Sequence, residues 1–220
     1  PLAMMIVFTI VFGRLANIPS GGVPYPVFAY AALVPWTYFS KSLDRGSFSV
    51  VAEANLITKV YFPRVIAPFA AILGGLVDFG ISFLLLFILM AWFGIVPGPQ
   101  ILTLPLLVIV TVATALAVSL WLAAFYVRYR DVGAVIPLVT QVWMFASPIV
   151  YPLTMVPSEW RTLYGLNPMV GIIEGYRWAL LGTEAPDVFI VAQSLVLVSI
   201  LLLGGLAYFN RVERSFADVI

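Results

Sequence analysis

Residues 65–96 read VIAPFAAILGGLVDFGISFLLLFILMAWFGIV, with a single charge, Asp78, in the whole run. A helix that crosses a bilayer needs roughly 20 mostly apolar residues, so this stretch is long enough to span with residues to spare. Working outward, 24–43, 101–127, 132–152 and 188–209 qualify in the same way. Residues 1–13 supply about half a span; we expect them to form the outer half of a first helix that begins before the sequence given. These runs are continuous rather than alternating, which excludes an outer-membrane barrel. The expected fold is an all-α membrane protein. It has six transmembrane helices, the first truncated, in one domain over residues 1–220, plus re-entrant or interfacial helices in an outer loop.

Composition agrees. Of 220 residues, 63% are hydrophobic and 10% charged, with mean hydropathy +1.09. Soluble domains carry roughly 45–50% apolar and about 25% charged residues. The net charge of +1 leaves no field to recruit a nucleic acid. Cysteine and histidine are absent, so a disulfide scaffold and the commonest metal ligand and proton shuttle are excluded. No Walker A loop, metal-ligand spacing or nucleophile with a histidine base is present.

Positive residues set the orientation. With six spans, Lys41, Arg45, Lys59, Arg64, Arg128, Arg130, Arg211 and Arg214 fall on one side, and Arg14, Arg161 and Arg177 on the other. Both termini are expected in the cytoplasm, with loops 14–25, 94–100 and 153–187 outside. Within the outer loop, residues 169–181 are apolar but too short to span. Asn167-Pro168 is expected to open this helix, and Glu174 and Arg177 to pair at i,i+3. Inside, residues 46–64 are expected to form a short amphipathic helix followed by an elbow at Pro63, either a docking surface for a soluble partner or a turn on the headgroups.

Ionisable residues at membrane depth are costly and mark functional sites by default. Asp78 is the clearest, on a water-filled path or in a packing contact beside Gly74 and Gly75. Thr37, Lys41 and Asp44 form one stripe on the second span. Pro137, Gln141, Met144 and Pro148 form another on the fifth, which is expected to be kinked. Trp36, Tyr38 and Tyr151 belong to interfacial aromatic belts or to a path on which sugars stack. Tyr176 and Trp178 occupy the outer-loop helix.

Several blocks together resemble the membrane subunit of ABC-2 type exporters, in the polysaccharide and polyol-phosphate branch that exports O-antigen, capsule or teichoic acid. They are LVPWTYFS at 33–40, NLITKVYFPR at 55–64, RYRDV at 128–132, SPIVY at 147–151, LNP at 166–168 and EGYR at 174–177. The resemblance implies a permease in the plasma (inner) membrane that forms a homodimer around a channel. Two copies of a separate ATP-binding subunit, holding ATP and Mg, dock on the cytoplasmic side; the chain itself is a transport subunit without a cofactor. Asn55, Leu56, Lys59, Tyr61, Phe62, Pro63 and Arg64 then couple ATP-driven closure to the helices, beside the cytoplasmic loop of Arg128, Arg130 and Asp131. An undecaprenyl-diphosphate-linked glycan enters from the cytoplasmic leaflet and passes Trp36, Tyr38, Lys41, Asp78, Gln141 and Tyr151. The outer-loop helix, with Asn167, Glu174, Tyr176, Arg177 and Trp178, shapes the exit. The chain departs from the family pattern at Asp78, where an uncharged polar residue is expected, and the amphipathic helix that precedes the first span in the family is expected to lie before the sequence given.

Three alternatives remain at this stage. An ABC-2 permease for a drug or small lipid would share the coupling segment. A secondary transporter is disfavoured because spans 1–3 and 4–6 show no repeat. An enzyme acting on a polyprenyl-linked sugar would have to use Glu174, Glu184 and Asp187. For the coupling segment, Phe62→Ala or Arg64→Glu is expected to uncouple ATP hydrolysis from export without unfolding the spans. Undiminished stimulation of the partner ATPase by either variant would contradict the assignment.

Overall fold

The computed structural model describes residues 1–54, 59 and 63–213. Asn55, Leu56, Tyr61 and Phe62 of the expected coupling segment, and Arg214, lie outside the described residues. Among those described, every regular element is helical. α1 (Leu2–Phe8) runs on as a wider π-type turn, Thr9–Leu15. α2 (Tyr25–Ala52) is followed by α3 (Ile66–Leu73) and α4 (Leu76–Trp92), then by a 3-10 turn, Pro99–Thr103, that leads into α5 (Leu104–Arg128). α6 (Val132–Phe145), a 3-10 turn at Leu153–Met155, α7 (Ser158–Tyr164), α8 (Pro168–Leu181) and α9 (Val188–Val212) complete the chain.

Among the described residues, three helical stretches are long and apolar enough to cross a membrane: Ile66–Trp92, Pro99–Arg128 and Val188–Val212. The central helix is not among them. α2 carries prolines, hydroxyls, aromatics and charges, yet most of its residues are buried, because α3, α4, α5 and α8 pack around it. In a bilayer the apolar side chains belong on the lipid-facing helices, and inner helices associate through small residues and polar contacts. Gly46 shows the consequence. A Cβ there would lie 2.8 Å from Ser119 Oγ and 2.9 Å from its Cβ, so α2 and α5 cross with almost no side chain between them. At Gly205 of α9 a Cβ would meet the Trp121 indole at 3.0 Å, and that indole donates through Nε1 to the Leu201 carbonyl at 3.0 Å.

Two expected boundaries shift. α2 does not end near 43; it continues to Ala52, so residues 46–52 extend the second helix instead of starting a separate amphipathic one. α6 ends at Phe145 rather than continuing to 152. Pro137 sits inside α6 without breaking it, whereas Pro148 removes the N–H that would continue the last turn and crowds the carbonyl at 144. At 14 residues, α6 is about 21 Å long, short of the roughly 30 Å hydrocarbon core. The rest of the fifth stretch runs as irregular backbone over 146–152.

The contacts align the ends. Tyr25 lies against Gly13 and Val150; at the far end of α2, Phe48 packs on Tyr126, and Gly133 opens α6 beside both rings. Tyr208 near the end of α9 stacks on Trp121 at 5.0 Å. Lys41, Arg45, Arg128, Arg130 and Arg211 therefore gather toward one end of the bundle, and Arg14, Arg161 and Arg177 toward the other. Gly46→Leu is expected to destabilise the protein by about 1–3 kcal/mol through overpacking, whereas Gly80→Leu, with nothing within 4 Å of its Cβ position, is expected to be neutral. Thermal unfolding in detergent distinguishes the two; equal midpoints would contradict the close crossing.

Candidate functional site: a clasped end and a charged wall

The irregular segment after α6 presents backbone carbonyls that no helix satisfies, and a buried arginine collects them. Arg177 of α8 is 1% exposed. Its Nη2 donates to the Ile149 carbonyl at 2.9 Å, and its Nη1 to Glu174 Oε1 at 2.9 Å and to the Tyr151 carbonyl at 3.5 Å. The guanidinium lies 3.6 Å from the Phe28 ring centroid, a cation–π contact with the start of α2. Tyr25, also on α2, donates to the intervening Val150 carbonyl at 2.7 Å. Burial pushes the Arg177 pKa down, and the Glu174 carboxylate opposes that shift. The Glu174–Arg177 pair expected from the i,i+3 spacing is thus present, and it holds far more than a surface helix would need.

Asn167 performs a second capture. Its Oδ1 accepts from the Met169 amide at 3.0 Å as the N-cap of α8, with Pro168 in the first turn as the sequence predicts. The same oxygen accepts from Trp143 Nε1 at 2.8 Å. Its Nδ2 donates to the Ala146 carbonyl at 3.0 Å and to Ser147 Oγ at 2.9 Å. Tyr151 and Tyr164 share a hydroxyl–hydroxyl hydrogen bond; burial and that bond raise the Tyr164 pKa. Tyr176 is buried, its hydroxyl 3.2 Å from Thr111 Oγ1, and Trp178 is half-buried. α8 is therefore packed inside the bundle's end on nearly every side, with Gly182 closing it in the left-handed conformation at φ 65°.

The second site is a wall between α2 and α4. Arg45 and Asp78 form an ion pair at 3.5 Å, with side chains 48% and 58% exposed. Lys41, one turn before Arg45, is exposed beside them, and Thr37, Ser42 and Ser82 complete the patch. Asp78 is thus on an outer surface of the chain, next to exposed Val77 and Ile81. Gln141 is likewise exposed on α6, among Leu138, Val139 and Val142. Trp36 and Tyr38 face inward instead. Trp36 packs on Phe39; Tyr38 stacks on Phe79 at 4.4 Å and donates to the Ile72 carbonyl at 3.1 Å.

At the basic end, Lys59 and Pro63 are exposed and Arg64 is half-buried. Arg128, Arg130 and Asp131 are exposed, with Arg130 over the Tyr126 ring at 5.6 Å. The residues that spacing did not single out are Arg45, whose partner is a helix away, and Phe28, which joins Tyr25 in the clasp. No local sequence signal marks carbonyl capture across more than a hundred residues. Glu174→Gln leaves a buried guanidinium without its counter-charge and is expected to cost about 3–5 kcal/mol. Asp78→Asn, at a half-exposed pair, is expected to cost at most about 1 kcal/mol. Unfolding midpoints of the two variants in one detergent check the order; the reverse order would contradict the clasp.

With the geometry in place, the chain can be set beside known proteins. Residues 1–181 match the ABC-2 type transporter family. A protein described as "O-antigen export system permease protein RfbA" of Myxococcus xanthus is 28% identical over the whole of this chain and 83% of its own length. Two Klebsiella pneumoniae proteins of the same description are each 23% identical, over the whole of this chain and 84% of theirs. The family match runs from α1 through α8 and takes in both the charged wall and the clasp. With several helices apolar enough to cross a bilayer, this chain is a multi-pass membrane protein and belongs to the ABC-2 type transporter family, as a transport subunit that works with an ATP-binding partner.

Proposed function

We propose that the chain is the membrane-spanning permease of an ATP-driven exporter that carries a lipid-linked polysaccharide, O-antigen-like, from the cytoplasmic to the outer side of the inner membrane. The observation that carries this reading is the similarity along the full chain to three O-antigen export permeases, on top of family membership. Six spans with both termini in the cytoplasm put the basic end inside, as the positive-inside rule requires.

The charged wall supports a paired assembly. Lys41, Arg45 and Asp78 are exposed on a single chain amid apolar residues. Facing lipid, each charge costs several kcal/mol, whereas facing a water-filled passage or another protein it does not. A second copy set against this wall would enclose a polar passage, with Gln141 a further candidate along it. Tyr38 would then act from behind, holding α2 against α3 and α4, with Trp36 packed beside it on Phe39. At the basic end, two ATP-binding subunits would engage the 55–64 segment and the loop of Arg128, Arg130 and Asp131. ATP and Mg reside on those subunits, so the energy enters through that end and the clasped end serves as the exit. An undecaprenyl-diphosphate-linked glycan suits such a route: the lipid stays in the leaflet while the glycan threads between the copies.

Co-expression with the ATP-binding subunit encoded beside it tests the reading. The expected product is a detergent-stable complex of two permeases and two ATPases that hydrolyses ATP and, in vesicles, moves lipid-linked glycan. Lys41→Glu is expected to leave assembly intact and to slow glycan transfer at least about tenfold, the effect of roughly 1.4 kcal/mol on a barrier. A permease that stays monomeric beside the ATPase, or a Lys41→Glu complex with undiminished transfer, would contradict the assembly and the path respectively.

A further inference from the structure

α5 and α9 run side by side toward the basic end of the bundle. A Cβ on Gly205 of α9 would lie 3.2 Å from the Ala117 carbonyl oxygen of α5, and Trp121 donates to the Leu201 carbonyl. Farther along, the Tyr208 ring stacks on Trp121 at 5.0 Å and lies 5.5 Å from Phe125. Residue numbers rise together along this contact, so the two helices are parallel. Arg128 stands three residues past Phe125, and Arg211 three residues past Tyr208. Three residues rise about 4.5 Å, and residues at i and i+3 share a face. The two arginines therefore end neighbouring helices at one level, just beyond three partly exposed rings.

Neither arginine has a counter-charge. Both are exposed, and among the described residues neither forms an ion pair or a hydrogen bond. Asp131 and Glu213, the carboxylates nearest in sequence, stay beyond pairing distance. Arg128 has only the exposed Tyr129 ring, 5.7 Å from its guanidinium carbon. Arg130 is engaged elsewhere, over Tyr126, which packs on Phe48 of α2. The surface leading to the pair is built for lipid. Val196, Ile200 and Leu203 are exposed on α9, and Arg211 continues their stripe by way of Ala207. A single arginine at a helix end snorkels to any headgroup. Two at one level, on adjacent helices and without a carboxylate, repel each other unless an anion lies between them. Basic pockets between transmembrane helices hold anionic headgroups in this way.

We propose that Arg128 and Arg211 together bind the phosphate of an anionic phospholipid, whose acyl chains lie along Trp121, Phe125 and Tyr208. The test is the lipid retained by the affinity-purified permease–ATPase complex after washing in detergent with equimolar phosphatidylglycerol and phosphatidylcholine of the same chains, quantified by mass spectrometry. Phosphatidylglycerol is expected in at least about tenfold excess, and Arg128→Gln and Arg211→Gln each to reduce that excess about fivefold, as loss of one basic residue near a headgroup does. Arg128→Lys and Arg211→Lys are expected to keep most of it, and Arg14→Gln, at the far end, to leave it unchanged. Equal retention of the two lipids, or an excess that survives both glutamine substitutions, would overturn the proposal. Salt tests the wild-type complex without any substitution. The excess is expected to shrink between 0.05 and 0.5 M sodium chloride, roughly the range over which screening acts on exposed charges, and an excess indifferent to salt would overturn the site. Displacement of the phosphatidylglycerol by equimolar undecaprenyl phosphate would assign the pair to the carrier lipid and overturn the choice of a phospholipid.

Discussion

A helix that stops inside a membrane protein leaves carbonyls that water cannot reach, and this chain answers them with a guanidinium buried to 1% exposure. Irregular backbone at such depth persists only where protein satisfies it. Arg177 takes the 149 and 151 carbonyls, Tyr25 takes 150, and Asn167 takes 146. The cost of burying the charge is met by Glu174 and the Phe28 ring. Three distant parts of the chain, the start of α2, the end of α6 and the whole of α8, are fastened at one point. That fastening lets α6 be short and turns this end of the bundle into a block of packed short helices.

The remainder of the bundle follows the inverted logic of a bilayer. Its central helix is among its more polar, packed by glycine and serine contacts such as Gly46 on Ser119, while the helices richest in leucine, isoleucine and phenylalanine form the outside. Against that background, exposed Lys41, Arg45 and Asp78 stand out as a surface not built for lipid. Mobility and stability should divide along the same line. The clasped end is rigid by hydrogen bonding, and the charged wall carries only a half-exposed ion pair at 3.5 Å, free to re-form with another partner.

Much of this was legible in the residues. Long apolar runs needed only a count, and Asn167-Pro168 announced a capped helix through the chemistry of its first turn. Glu174 and Arg177 announced their pair through i,i+3 spacing. What escaped was non-local. Residues 46–52 look amphipathic in sequence, but the helix continues through them since nothing before Glu53 stops it. Pro137 and Pro148 look alike in sequence; only Pro148 ends the helix, where Asn167 and Arg177 receive the freed carbonyls. Trp36 and Tyr38 read as belt or path residues, yet they pack inward, because the aromatic periodicity of a central helix is the same whether its neighbours are lipids or other helices.

The most direct test of the account is a cryo-EM map of the permease–ATPase complex in nanodiscs at side-chain resolution, read at residues 145–152. Density for the Arg177 guanidinium between the Phe28 ring and the Ile149 carbonyl, with the backbone unwound from Ala146, is the predicted result. An α6 that continues as regular helix through Tyr151, with Arg177 turned to solvent, would contradict it.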